Sequence, residues 1–382
     1  MAFPAQRPTW AEINLDNLTH NFRATQKAVG AGVSIMAAVK SDAYGHGAVE
    51  CAHALEKAGA AWFGVALPEE GLALRDSGIT RPILTLGGFW EGQEDVLISH
   101  RLTPVVFRLD LLDRFSKAAR ASGAVADYHL KIDTGMGRLG VPYGELGSFL
   151  EEAARFKNVR LDGVMTHLAS ADSPDHREFT ERQISLFEGA VELVRTRGFR
   201  PTWIHEANSA GTHAYPASRG NLVRLGGVLY GLWRDVTDRS IEPLDWRPVM
   251  SLRTRIMLLK TVPAGNPLGY GGTFVTGRES RIATLAIGYE DGLRRDLSNR
   301  GKVIVRGELA PIVGRVSMDL TLVDVTGVAG AAVGDEVVVI GRQGASLITA
   351  EEVAAQAGTI SYEVTCGISG RVPRLYQSGG GL

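Results

Sequence analysis

Apolar, β-branched-rich runs recur through the first part of the chain, at residues 34–40, 61–67, 82–87, 102–107, 126–133, 161–167, 203–208 and 221–231. Most are separated by stretches with helical patterning, such as 48–57, 111–121, 143–156 and 176–197. Eight strand–helix repeats of parallel type predict an α/β fold, an N-terminal (β/α)8 TIM-like barrel whose active site belongs at the C-terminal ends of the strands. An open doubly wound sheet would want a G-x-G-x-x-G turn after its first strand, and none is there.

The pattern changes after about residue 240. Short runs at 252–262, 280–288, 302–305, 310–316, 320–325 and 336–340 are split by Gly, Pro and Asp, and they read as antiparallel strands of a C-terminal mainly-β domain. Thr349-Ala350-Glu351-Glu352 carries capping-box chemistry and should open a short helix. We therefore divide the chain into a barrel, 1–240, and a β domain, 241–382. Residues 9–15 alternate like a strand, so the first ten or so residues are expected to pair with the β domain.

Composition narrows the function. With 41 Lys+Arg against 42 Asp+Glu the net charge is −1, and no basic face favours nucleic acid or an anionic membrane surface. Cys51 and Cys366 lie far apart with no C-x-x-C spacing, so no disulfide framework and no metal site is suggested. The start has no apolar signal region and no stretch approaches a membrane span, which points to a cytoplasmic protein. Basic charge is carried mostly by arginine, and lysine is confined to positions 27, 40, 57, 117, 131, 157, 260 and 302. Two of those few, Lys40 and Lys131, end or lie within buried-looking strands.

The strongest chemical signal is Ala38-Val39-Lys40-Ser41-Asp42-Ala43-Tyr44-Gly45-His46-Gly47. A lysine at the C-terminal lip of a buried strand has its pKa lowered by desolvation, as an amine needs in order to form an imine with a carbonyl. Tyr44 can offer a hydroxyl to an anion, and the glycines allow close backbone approach. Other unusual polar residues also follow predicted strand ends: Lys131 and Arg138 around a glycine turn, His167, Asn208-Ser209, and Arg224 before Gly226-Gly227. The Ser209 hydroxyl, the Gly226 and Gly227 amides and the Tyr44 and Tyr362 hydroxyls could together cradle a phosphate. Taken singly, Ser209 reads equally well as a helix cap and the glycines as a tight turn.

These segments resemble the alanine racemase family. The lysine segment is similar to that family's pyridoxal-phosphate (PLP) lysine motif, and residues 129–140, HLKIDTGMGRLG, to its second hallmark. Further matches are HEANSA at 205–210, VRLG at 223–226, GYG at 269–271, IGYEDG at 287–292, GRVSMD at 314–319 and ISYEV at 360–364. Ser41, where alanine is frequent, and Gly370, where a bulkier residue is usual, depart from the pattern.

The resemblance implies PLP-dependent interconversion of L- and D-alanine by two bases, supplying D-alanine for peptidoglycan. Lys40 would anchor PLP and act on the D-α-proton, and Tyr270 on the L-α-proton. A tyrosine with a reference pKa of about 10 needs help to serve as a base, which His167 beside Arg224 could give. Tyr44, His167, Asn208, Ser209, Arg224, Gly226, Gly227 and Tyr362 would hold the cofactor, with Arg224 facing its ring nitrogen. Lys131 would carry a carbamate that orients Arg138 toward cofactor and substrate carboxylate; a cationic Lys131 paired with Asp133 or Glu145 is the alternative. Met318 and Asp319 would lie near substrate, and Tyr289 would narrow the entry. The family's homodimer, with active sites shared between chains, is implied as well. A serine-type racemase of broader specificity is the nearest alternative. A decarboxylase of the same architecture would want a catalytic cysteine, for which Cys366 is the one handle, and an acid where Arg224 stands.

Overall fold

The computed structural model describes residues 8–238 and 240–379. Eight parallel strands, Ser34–Ala38, Trp62–Val65, Ile83–Thr85, Leu102–Val106, Ala126–Asp133, Val159–Met165, Trp203–His205 and Leu222–Leu225, follow one another in that order, and the last pairs with the first. Hydrogen bonds donated by the Asn221 amide to the Ile204 carbonyl and by the Arg224 amide to the Ala207 carbonyl close the remaining gap. Each expected run yields one strand, though several strands are shorter than the runs. The run 221–231 is the clearest case: the strand stops at Leu225, and Gly227–Tyr230 turns back as a 3-10 segment. The apolarity of Val228, Leu229 and Tyr230 marks burial rather than strand.

Alternation decides what fills the barrel. Met36, Trp62, Leu84, Val105, Met165 and Leu222 form one buried cluster on the inner side. The polar residues His129 and Lys131 on Ala126–Asp133, His205 on Trp203–His205 and Arg224 on Leu222–Leu225 are buried as well. Opposite faces of the strands pack on the surrounding helices, including Ala48–Ala58, Leu109–Ala121 and Arg177–Thr196.

The β domain is built on the long strand Met250–Val262, which pairs antiparallel with Glu336–Gln343 and Ser280–Leu285. Trp10–Asn14 pairs antiparallel with that long strand and parallel with Arg374–Gln377, so both ends of the described chain are stitched into the β domain. Met1–Arg7, included in the expectation for the N-terminus, lie outside the described residues. The capping box forms as expected: the Thr349 side chain accepts from the Glu352 amide at 3.2 Å, Glu352 accepts from the Thr349 amide at 2.8 Å, and the helix runs Ala350–Ala357.

One local feature has no signature in the sequence. Ser41, Asp42, Ala43 and Tyr44 all have φ between 52° and 55°, a complete left-handed turn with no glycine in it. Such backbone costs roughly 1–2 kcal/mol per residue for L-amino acids. The surroundings offset this: the Ser41 amide donates to Glu70 Oε1 at 2.6 Å, the Ala48 amide to Asp42 Oδ1 at 2.7 Å, and Ala43 and Tyr44 are buried. A side chain at Gly45 would collide with the Thr365 carbonyl, so the β domain's last helices press directly on this turn. Its consequence is to hold Lys40 at the strand lip while sending Tyr44 into the barrel mouth.

Candidate active site

One cavity of about 470 Å3 occupies the mouth of the barrel. Lys40, Tyr44, Lys131, Arg138, His167, Asn208, Ser209, Arg224, Gly226 and Tyr362 all line it, ten of the expected residues brought from six segments of sequence. Gly227 adjoins: a Cβ there would run into the Tyr362 ring. Tyr362 is delivered by the helix Ser361–Cys366, whose first residue is pinned to the barrel by Asp235, accepting from the Ser361 amide at 2.6 Å and hydroxyl at 2.8 Å.

The two lysines are both driven toward the neutral amine. Burial lowers the pKa of Lys40, and the Arg138 guanidinium adds to it. Lys131 falls to about 8, again by burial first and then by repulsion from Arg224 and Arg138. Among the described residues no carboxylate pairs with Lys131 or Arg138. Asp133, one of the two partners the alternative reading offered a cationic Lys131, spends its carboxylate on the amides of Gly135 and Gly137 at 2.9–3.1 Å and so holds the glycine turn instead.

Arg224 is almost wholly buried, at 5% exposure, yet has no ion pair among the described residues. Its Nη1 donates to the His205 carbonyl at 2.8 Å, and its Nη2 donates to the Thr166 and Glu206 carbonyls at 2.7 and 3.0 Å. Main-chain oxygens thus satisfy the terminal nitrogens without neutralising the charge, and no hydrogen bond to a described residue engages Nε–H. Burial lowers its pKa to about 10, so it stays a cation at neutral pH. His167 Nδ1 faces Arg224 Nη2 at 3.2 Å, and burial plus this neighbour hold the imidazole neutral, well below its ordinary pKa.

On the other side stand hydroxyls and glycines. Tyr44 and Tyr362 approach edge to face at 5.1 Å, and burial pushes both phenols far up, so they remain protonated donors. A Cβ on Gly226 would lie 2.5 Å from the Tyr44 hydroxyl, so only glycine leaves that corner open. The Gly226 amide, expected to face an anion, donates to Ser209 Oγ at 2.9 Å, and Gly227 serves the Tyr362 oxygen. Asn208 is committed locally: its Oδ1 caps the Gly211 amide at 2.9 Å and its Nδ2 donates to the Leu168 carbonyl at 3.1 Å. A lysine with a depressed pKa, an uncompensated arginine and a corner of neutral hydroxyls opened by glycine fit an aldehyde-bearing aromatic phosphate such as PLP. The lysine suits a carbonyl, the arginine a ring acceptor, and the hydroxyl corner an anion.

Tyr270, Tyr289, Met318 and Asp319 are not in this cavity. Tyr270, in the 3-10 turn Tyr270–Gly272, is 70% exposed and Met318 is 52% exposed, both in the β domain. Tyr289 neighbours Met318: the Tyr289 amide donates to the Ser317 carbonyl at 2.9 Å, and the Glu290 amide to the Met318 carbonyl at 3.0 Å. Asp319 is held by Arg371 at 2.9 Å, which also grips Asp291 at 2.7 Å. Within one chain, then, the cavity offers a base from Lys40 and none from Tyr270.

Sequence reading missed Glu206, which strand alternation turns away from the barrel interior and which is 4% exposed with Oε2 unpartnered among the described residues. Burial, reinforced by Glu188, pushes its carboxyl from 4.5 up to about 8. A raised acid pKa stabilises the fold fully below the unfolded value and loses that contribution as pH climbs through the folded one. At roughly 1.4 kcal/mol for each tenfold change in proton affinity, the loss should reach a few kcal/mol. Glu206→Gln should therefore flatten the stability profile between pH 5 and 9 and exceed the parent at pH 9 in urea unfolding. Superimposable profiles would show that Glu206 does not carry this proton.

Residues 13–233 match the model described as alanine racemase, N-terminal domain, and residues 249–376 that of the alanine racemase C-terminal domain. A relative named alanine racemase from Halothermothrix orenii is 43% identical over 97% of both chains. A solved structure of alanine racemase from Bacillus anthracis with bound L-Ala-P superposes with TM-score 0.91 at 37% identity, covering 99% of this chain and 97% of the other. Another, from Bartonella henselae with covalently bound pyridoxal phosphate, gives TM-score 0.88 at 29% identity over 98% and 100%. Among the described residues no helix is long and apolar enough to cross a membrane. With both of its parts matched and its barrel mouth so equipped, the chain belongs to the alanine racemase family.

Proposed function

We propose that this chain interconverts L- and D-alanine with PLP held at the barrel mouth, acting in the cytoplasm to supply D-alanine for peptidoglycan. The observation that carries the reading is the convergence of Lys40, Arg224, Tyr44, Ser209 and Tyr362 on one cavity from separate strand and helix ends. When bound, PLP supplies the electron withdrawal that makes an amino acid's α-proton removable. Lys40 would anchor it, the hydroxyls of Tyr44, Ser209 and Tyr362 would hold its phosphate, and Arg224 would face its ring nitrogen. Arginine gives up a proton so reluctantly that Arg224 would donate a hydrogen bond to that nitrogen without protonating it, which would moderate the electron withdrawal.

Lys40, once its anchor role passes to the substrate amine, can take or return a proton at Nζ on one face; its desolvated amine is suited to both. The opposite face needs a second base. We assign it to the partner subunit's Tyr270, in a homodimer whose β domains cover each other's barrel mouths. The exposure of Tyr270 and Met318 supports this, since neither packs against its own chain's core. Tyr289, Met318 and Asp319 would border the substrate's entry from the same side.

Arg138, oriented by Lys131, would recognise the substrate carboxylate. A neutral Lys131 Nζ can attack carbon dioxide: an N–C bond forms, one proton leaves to solvent, and the product is an anion able to orient Arg138. The lowering of the Lys131 pKa to about 8 makes the reacting amine available, and the commitment of Asp133 elsewhere removes the competing ion pair. Carbon-13 bicarbonate should then give a carbamate NMR signal that is missing in Lys131→Ala, with activity partly restored there by short carboxylates. An unmodified amine with no rescue would favour the plain cation.

The function itself is tested by incubating the PLP-loaded protein with separate L-amino acids and resolving enantiomers by chiral chromatography. Alanine should racemise fastest. Equal or faster turnover of serine would move the assignment to the broader racemase, and release of carbon dioxide with amine product to the decarboxylase.

A further inference from the structure

Directly beneath Arg224, the barrel interior holds two more histidines that the proposed chemistry does not use. His205 Nδ1 lies 3.3 Å from Arg224 Nη1, and His205 Nε2 lies 2.9 Å from His129 Nδ1. Both rings are fully buried. His129 continues downward onto Trp62, with ring centroids 5.0 Å apart, in the apolar company of the barrel floor. Its far nitrogen, Nε2, has no partner among the described residues.

The hydrogens in this column are fixed by elimination. Arg224 can only donate, so His205 Nδ1 must be an unprotonated acceptor. Burial keeps both imidazoles neutral, His129 near a pKa of about 3 and His205 also well below its ordinary value. The single hydrogen of His205 therefore sits on Nε2 and points at His129 Nδ1, which must accept it. That leaves the His129 hydrogen on Nε2, where it meets only apolar surroundings. An unpaired buried N–H is destabilising, and a leucine would suit the same space better. The adjacent strand makes room for the ring: Gly163 is the register partner of His129, and a Cβ there would stand 2.5 Å from His129 Cε1 and Nδ1.

We propose that His129 is a positioning residue that acts through His205 to fix the orientation of Arg224 and hence of its cavity-facing Nε–H. By accepting the Nε2 hydrogen of His205, it locks that ring in the one tautomer and orientation able to receive Arg224. The polar column thus trades fold stability for the geometry of the residue facing the cofactor ring. This rests on the reading of Arg224 as the ring partner, but the column itself can be tested without cofactor.

Nitrogen-15 histidine NMR of the cofactor-free chain should show His205 with hydrogen on Nε2. In His129→Leu that signal should move toward the other tautomer or an exchanging mixture, while the melting temperature holds or rises. In the PLP-loaded enzyme the same variant should lose kcat on the order of tenfold with KM little changed. His129→Asn, whose Oδ1 can stand in for the accepting nitrogen, should restore both the tautomer and most of kcat. Gly163→Ala, which displaces the His129 ring, should reproduce the tautomer shift. Unchanged His205 signals in His129→Leu would overturn the proposal, as would equal kcat in the Leu, Asn and parent proteins. A His129→Leu tautomer shift with no change in kcat would leave the column intact but contradict its action through Arg224. Failure of the parent to racemise any amino acid would count against the proposed function, not against the column.

Discussion

A Lys40→Ala protein is expected to be colourless and devoid of racemase activity while folding as well as its parent. Folding should survive because the substitution removes a desolvated amine, whose charge burial and Arg138 already oppose, and leaves the strand Ser34–Ala38 untouched. Activity should vanish for two reasons at once. A positioned proton-transfer group alone contributes about 10²–10⁴-fold, and the same nitrogen is the assigned anchor for PLP. Visible absorbance, chiral assay and thermal melting of the two proteins check this together. Borohydride treatment of the parent should also fix the cofactor to the peptide bearing Lys40. Labelling at Lys131, the other pKa-lowered lysine in the cavity, would mean that the two lysines have exchanged roles.

Much of this arrangement was legible because each signal had one physical cause. Apolar runs at regular spacing mark strands buried on both faces, and the barrel follows from their number and parallel alternation with helices. Scarcity made Lys40 and Lys131 conspicuous, and both line the cavity. Arg224 stands between Val223 and Leu225, a setting too apolar for a surface arginine, and it is buried.

What escaped has equally definite causes. The left-handed turn at Ser41–Tyr44 contains no glycine or asparagine to announce it; Glu70, 29 residues away, and Thr365 in the other part of the chain hold it in place. Strand ends at Leu225 and His205 fell short because burial continues past the ladder. The His129–His205 contact joins residues 76 apart, and the local sequence does not show that the Gly135 and Gly137 amides take the Asp133 carboxylate away from Lys131. Tyr270 lay within a matching motif, but no pattern along one chain says whose cavity it serves.

That last question decides whether the account holds together. Tyr270→Ala is expected to fold normally, since the side chain is 70% exposed, and to lose about 10²–10⁴-fold in activity if it is the second base. Mixing it with Lys40→Ala is the direct measurement, with subunit exchange shown by differently tagged chains. If Tyr270 acts on the other chain, each mixed dimer holds one site with both lesions and one site with neither. An equimolar, fully exchanged mixture should then recover roughly a quarter of the parent's activity, since half of the dimers are mixed and each has one working site. If Tyr270 acts within its own chain, every site keeps a lesion. A mixture that exchanges subunits and stays inactive would contradict the shared site.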